Sequence, residues 1–210
     1  ILMGGKKANA AYWFYGKDKG EWVSSKYYMQ ELPDWVNSFN NSGFISTYIR
    51  EWNTLYDINS YNESRSDDNK FEKSFKGDPS VTFPYDLNKL KDLNDGYDML
   101  KETPFGNSLT TDFAIEAIFN EKLGKDQYTD VLTISYSSTD YIGHNFGVDA
   151  KETQDAYLRL DLEIERLLIF LDSYVGENEY TLFLTADHGA AKIPAYLNSI
   201  GIKSQNVEEG

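Results

Sequence analysis

The sequence predicts an α/β fold built on a largely parallel sheet, and three observations predict it. Val131 to Tyr136 (VLTISY) and Tyr180 to Thr185 (YTLFLT) are β-rich runs that read as strands buried on both faces. Between them Tyr157, Leu160, Ile164, Leu167, Leu168, Leu171 and Val175 recur every three or four residues, the period of one long amphipathic helix. Strand, helix, strand is a βαβ unit. Its strands are expected to be parallel, joined by a right-handed crossover, and to end on the same sheet edge.

Composition sets the outer bounds. At 210 residues the chain suits one large domain or one domain with an insertion. With 40% hydrophobic residues it has the material for a core. Lys plus Arg number 20 against 34 Asp plus Glu, and the resulting net charge of −14 repels phosphate backbones, which disfavours general nucleic-acid binding. No apolar run approaches the roughly 20 residues of a membrane span, and no signal-like segment opens the chain. Zero cysteines exclude disulfides, thiol nucleophiles and thiolate metal sites, so any metal must sit on His, Asp or Glu. The apolar start Ile1-Leu2-Met3-Gly4-Gly5 is strand-like and reads as the interior of a longer protein.

In chain order, Ala8 to Val23 with the turn Gly16-Lys17-Asp18-Lys19-Gly20 predicts two short strands joined by a polar connection. Pro33-Asp34 opens a short helix carrying Trp35, Val36 and Phe39 that ends near Gly43. Asn59 to Ser80 is polar and aperiodic, a surface excursion whose acidic residues read as a solvated face. Asn107 or Ser108 is the expected cap of a helix with Phe113, Ala114, Ala117 and Ile118 on its apolar face and Gly124 beyond its end. Asp149, with Glu152 three residues on, resembles a capping box for the long helix, and Gly176 stands where it should stop. Pro194 and Gly201 bracket a last short helix.

The residues just past the two predicted strands carry the chemistry. After the first comes STDYIGHNFG, with Asp140 and His144 four apart in a glycine-containing loop; after the second comes TADHG, with Asp187 and His188 adjacent. Ligands of open α/β sheets collect beyond the carboxyl ends of the strands, so these four side chains can converge. They include the chain's only two histidines, each beside an aspartate, and oxygen with imidazole nitrogen suits zinc or a similar divalent ion. An isolated Asp-His pair is commonly a hydrogen-bonded turn; two such pairs at matching ends of one βαβ unit point to a metal site. The remaining candidates are weaker. Asp112 with Glu116, and Asp161, Glu163 and Glu165, read as exposed helix-face charges. Gly4-Gly5-Lys6-Lys7 lacks P-loop spacing, and Tyr12, Trp13 and Phe14 read as packing rather than a sugar platform.

The string STDYIGHNFG, the helix segment AYLRLD and TADHGAA resemble the alkaline phosphatase superfamily, closest to its phosphate-irrepressible bacterial alkaline phosphatases and the nucleotide pyrophosphatase/phosphodiesterases. ANAAYWF is similar to a segment of the same phosphatases, so the resemblance runs from about Ala8 to Ala191. It implies a three-layer α/β sandwich, incomplete here, with residues 17–100 as a peripheral or inserted subdomain and 101–210 as the core with metal-ligand loops. It also implies two zinc ions bridged by substrate phosphate, Asp140 and His144 on one, Asp187 and His188 on the other. Family members attack phosphorus with a threonine or serine alkoxide. By the same resemblance the nucleophile, an upstream aspartate and the phosphate-holding Lys and Arg would precede Ile1, and a third histidine would lie downstream; Lys6 and Lys7 take no such role.

The expected function is therefore that of part of a zinc-dependent phosphoric ester hydrolase acting on small-molecule phosphate esters, monoesters before diesters, with these 210 residues inactive alone. A phosphodiesterase or nucleotide pyrophosphatase is the alternative, and a non-enzymatic metal- or glycan-binding domain the second. Relatives of this kind are exported, which implies a periplasmic or extracellular location.

Overall fold

The computed structural model describes residues 5–205. The expected strand-like start at Ile1–Gly4 lies outside the described residues. An antiparallel hairpin opens the chain, β1 (Trp13–Tyr15) with β2 (Glu21–Val23), in the register Trp13 to Val23 and Tyr15 to Glu21. Its turn needs glycine. A Cβ on Gly16 would lie 2.2 Å from the backbone nitrogen of Asp98, whose carboxylate accepts the Gly16 N–H at 2.9 Å. The helix α1 (Asp34–Asn41) follows Pro33 and ends before Gly43, where φ is 77°. A second two-stranded antiparallel ladder pairs β3 (Glu51–Trp52) with β4 (Tyr85–Asp86), running into the short α2 (Leu87–Leu90).

Three helices carry the second half: α3 (Pro104–Asn120), α4 (Ser138–Phe146) and α5 (Lys151–Leu171), with α6 (Pro194–Ser199) near the end. They pack on one another, and the 3-10 segment Gly96–Glu102 packs on α3 and α4. Phe113 of α3 is an aromatic hub. Trp22 stacks on it at 4.1 Å between ring centroids, and Tyr12, Trp35 and Phe39 ring it at 5.3, 5.1 and 5.6 Å. Each such pair adds about 0.5–1.5 kcal/mol beyond area burial, so the hairpin and α1 are fixed to α3. A second cluster joins Trp52, Phe75, Phe83 and Tyr85 to Phe146 of α4.

Several expectations are corrected. The helix expected to start at Asn107 or Ser108 starts at Pro104, because proline suits the first helical position and Thr103 enters it extended. Asp149 does not cap α5; Ala150 occupies the cap and Glu152 turns into the interior, where the Tyr85 hydroxyl donates to it at 2.6 Å. The apolar stripe expected along α5 is partly replaced by polar packing. Buried Asp155 accepts from Trp52 Nε1 (2.7 Å), Leu55 N–H (2.7 Å), Tyr61 Oη (2.5 Å) and Arg159 Nε (2.6 Å), while Tyr157 is exposed. Saturating all its acceptor positions makes burial of this carboxylate tolerable. The stretch 59–80 is not wholly a solvated face: Tyr61 and Phe75 are buried, and so are carboxylate oxygens of Asp67 and Glu72.

The largest difference concerns the expected parallel sheet. Among the described residues the sheets are the two antiparallel pairs, and neither 131–136 nor 180–185 is a strand. Val131 is 84% and Phe183 88% exposed. A segment apolar on both faces forms a strand only where neighbours complete its ladder and cover its sides; among the described residues these runs have no ladder and little cover, Ile134 and Tyr136 being half-buried.

Candidate metal centre

Asp140 and His144 lie on α4, not in the loop that the glycine led us to expect. Ile142 and Phe146, also four apart, are the buried side of this helix, so burying them turns Asp140 and His144 outward together. Asp140 Oδ1 and His144 Nε2 stand 3.4 Å apart. Asp140 in the first turn also suits the helix dipole.

Both ends of α4 are held from elsewhere. At its start the Ser138 N–H donates to the side-chain oxygen of buried Asn107 on α3 at 3.2 Å. Asn107, expected as a cap for its own helix, thus serves a different one; a chain-local reading carries no signal for that. At its end Gly147 turns with φ of 94°, and Thr153 Oγ1 donates to the Gly147 carbonyl at 2.7 Å.

Asp187 and His188 sit in an exposed turn. The Asp187 carboxylate accepts the His188 N–H at 3.0 Å, and His188 Nδ1 lies 3.1 Å from the Gly189 carbonyl. A carbonyl only accepts, so this contact forms with a proton on Nδ1, the tautomer that in a neutral ring leaves Nε2 to bind a metal. That nitrogen is 3.7 Å from Asp187 Oδ2 and 3.9 Å from Asp140 Oδ1. The structure therefore brings Asp140, His144 and His188 together, while Asp187 stands at the rim, its side chain 90% exposed. Among the described residues no group of three or more potential ligands surrounds one point. The arrangement is two open pairs that touch through Asp140.

Beneath the connection from α4 to α5 lies a group of carboxyls that sequence reasoning missed, because nothing in a polar loop marks which acid turns inward. Burial pushes Glu152 up to about 7. Burial, then the charges of Glu152 and Asp67, push Glu72 up to about 8. Asp67 is raised by burial as well.

The likeness of sequence and fold to known alkaline phosphatases places the chain in the alkaline phosphatase superfamily. Residues 2–209 match the family described as Type I phosphodiesterase / nucleotide pyrophosphatase, and the chain belongs to it. A protein of Myroides odoratus named calcium-transporting ATPase is 52% identical over 199 residues, 93% of this chain and 36% of that protein. Alkaline phosphatase PhoV of Synechococcus elongatus is 46% identical over 200 residues, and alkaline phosphatase PafA of Elizabethkingia meningoseptica 41% over 201, each covering 95% of this chain and 36% of the relative. The crystal structure of wild-type alkaline phosphatase PafA superposes with a TM-score of 0.91 at 40% identity, over 97% of this chain and 39% of that one. The chain spans little more than a third of these relatives. No helix among the described residues is long and apolar enough to cross a membrane.

Proposed function

We propose that this chain is the part of a zinc-dependent phosphoric ester hydrolase that carries two half-sites, Asp140 with His144 and Asp187 with His188. The observation that carries the reading is the approach of His188 Nε2 and His144 Nε2 to the same carboxylate oxygen of Asp140, at 3.9 and 3.4 Å. Donors bound at about 2.0–2.1 Å in tetrahedral zinc geometry stand about 3.4 Å apart, so Asp140 and His144 fit as one edge of such a site. His188 offers a free Nε2, and Asp187 a carboxylate beside it. Open pairs rather than one closed cage favour catalysis over a structural metal or a glycan-binding role.

Zinc at these pairs would supply positive charge for the oxygens entering and leaving phosphorus. The chain's own part is to hold the donors: burial of Ile142 and Phe146 orients Asp140 and His144, and the Gly189 carbonyl lies within hydrogen-bond reach of His188 Nδ1. The preferred substrates are small phosphate monoesters, in line with the two relatives named alkaline phosphatases and the ANAAYWF segment. Diesters are the second reading, favoured by the description of the matched family. We assign 131–136 and 180–185 to a largely parallel sheet completed by further chain, residues 17–100 to its periphery, and the whole to the periplasm or cell exterior on the resemblance.

In the complete protein, Asp140→Ala and His188→Ala are each expected to cut phosphate ester hydrolysis by at least about 100-fold, with a thermal midpoint near the wild type. Retained turnover in either variant rejects the assignment. The 210 residues alone are expected to show no chelator-sensitive turnover.

A further inference from the structure

We propose that Asp149, gripped by Arg65 and Lys192, is a positioning residue that sets the spacing between the two acid–imidazole pairs; the inference rests on the metal reading of those pairs. Asp149 lies in the connection just after α4, five residues past His144, and Lys192 lies four past His188. Lys192 Nζ donates to both oxygens of Asp149, at 2.8 and 2.9 Å, a direct tie between the two ligand-bearing segments. Arg65 pairs with the same carboxylate, and its backbone N–H donates to the Asp149 carbonyl at 2.7 Å.

The Arg65 guanidinium also lies over the Tyr196 ring of α6, 3.1 Å from its centroid, and Phe71 meets that ring edge-on at 5.9 Å. A Cβ on Gly147 would come within 2.6 Å of Ile193, so the segments pack closely at this point. By contrast, among the described residues the hydrogen bonds of residues 185–191 are confined to that stretch. The turn holding Asp187 and His188 thus takes its position from anchors that follow it, and Asp149 is the carboxylate they share. Two cations on one largely shielded carboxylate make a stiff, charge-assisted joint.

The test is a zinc titration of the 210-residue chain followed by the imidazole resonances of His144 and His188, the chain's two histidines. Asp149→Asn keeps the shape and removes the charge; it is expected to raise the apparent dissociation constant by about 10-fold or more, as loss of an outer partner does in metal sites. Asp149→Glu is expected to recover most of the affinity. Lys192→Met, at a half-exposed side chain, should act in the same direction and carries the test should Asp149→Asn not fold. Asp86→Asn, which removes a surface pair with Lys89, should leave the titration unchanged. Wild-type binding with affinities in Asp149→Asn and Lys192→Met within twofold of it overturns the joint alone. A wild-type chain whose two resonances ignore zinc overturns the metal reading and the joint with it.

Discussion

Glu72 and Glu152 each exchange water for protein interior, and the carboxylate form of each is the one that suffers. Tyr85 donates to Glu152 and eases it; Glu72 faces the added charges of Glu152 and Asp67. Both groups therefore hold a proton in the folded chain that the unfolded chain releases near 4.5. A raised acid pKa means stability is fully present below about 4.5 and is lost as pH rises through about 7 for Glu152 and about 8 for Glu72. The denaturation midpoint is expected to be higher near pH 5 than near pH 8.5. Glu72→Gln and Glu152→Gln should each flatten that slope and raise stability at the alkaline end. A midpoint that climbs from pH 5 to 8.5 would contradict the assignment.

The placement of α4 depends on a seat in α3. A Cβ on Gly106 would lie 2.2 Å from Ser138 Oγ and 2.6 Å from the Leu100 carbonyl, so glycine there lets the start of α4 reach the Asn107 side chain next door. Gly106→Ala is expected to lower stability by about 1–3 kcal/mol despite alanine's better helix propensity, because the contact is with backbone and a packed hydroxyl. Urea denaturation reads it out; a gain in stability would show that the seat yields. The helices α3, α5 and α6 are legible in sequence from their periods and their proline or glycine boundaries. The helix α4 is not, since Gly143 and the polar Asp140 and His144 obscure its pattern and its stability comes from burial of Ile142 in the core and of Phe146 in the aromatic cluster of Trp52, Phe75 and Tyr85.

On the scale of the molecule the exposed stretches 131–133 and 182–184 set the behaviour. Leu184 is 73% exposed beside Phe183, which together leave an apolar strip that covering strands would bury. The double change Phe183→Lys, Leu184→Lys is expected to reduce hydrophobic-dye binding and aggregation of the 210-residue chain. In a complete protein with these runs in its sheet, the same change should cost roughly 3 kcal/mol or more, since two unpaired charges would then be buried. Stabilisation in both settings would rule out the sheet assignment.

The helical stretches of α1, α3, α5 and α6, the acidic character and the two pairs of candidate ligands were determined by sequence alone, because periodicity, charge and rare histidines are properties of neighbours along the chain. Which carboxylates turn inward, which helix Asn107 serves, and that Asp149 joins two distant segments instead of capping α5 were decided by tertiary structure. Those outcomes depend on partners as far as 103 residues away in sequence, and a side chain's environment in the fold is set by whichever distant group fills the space beside it.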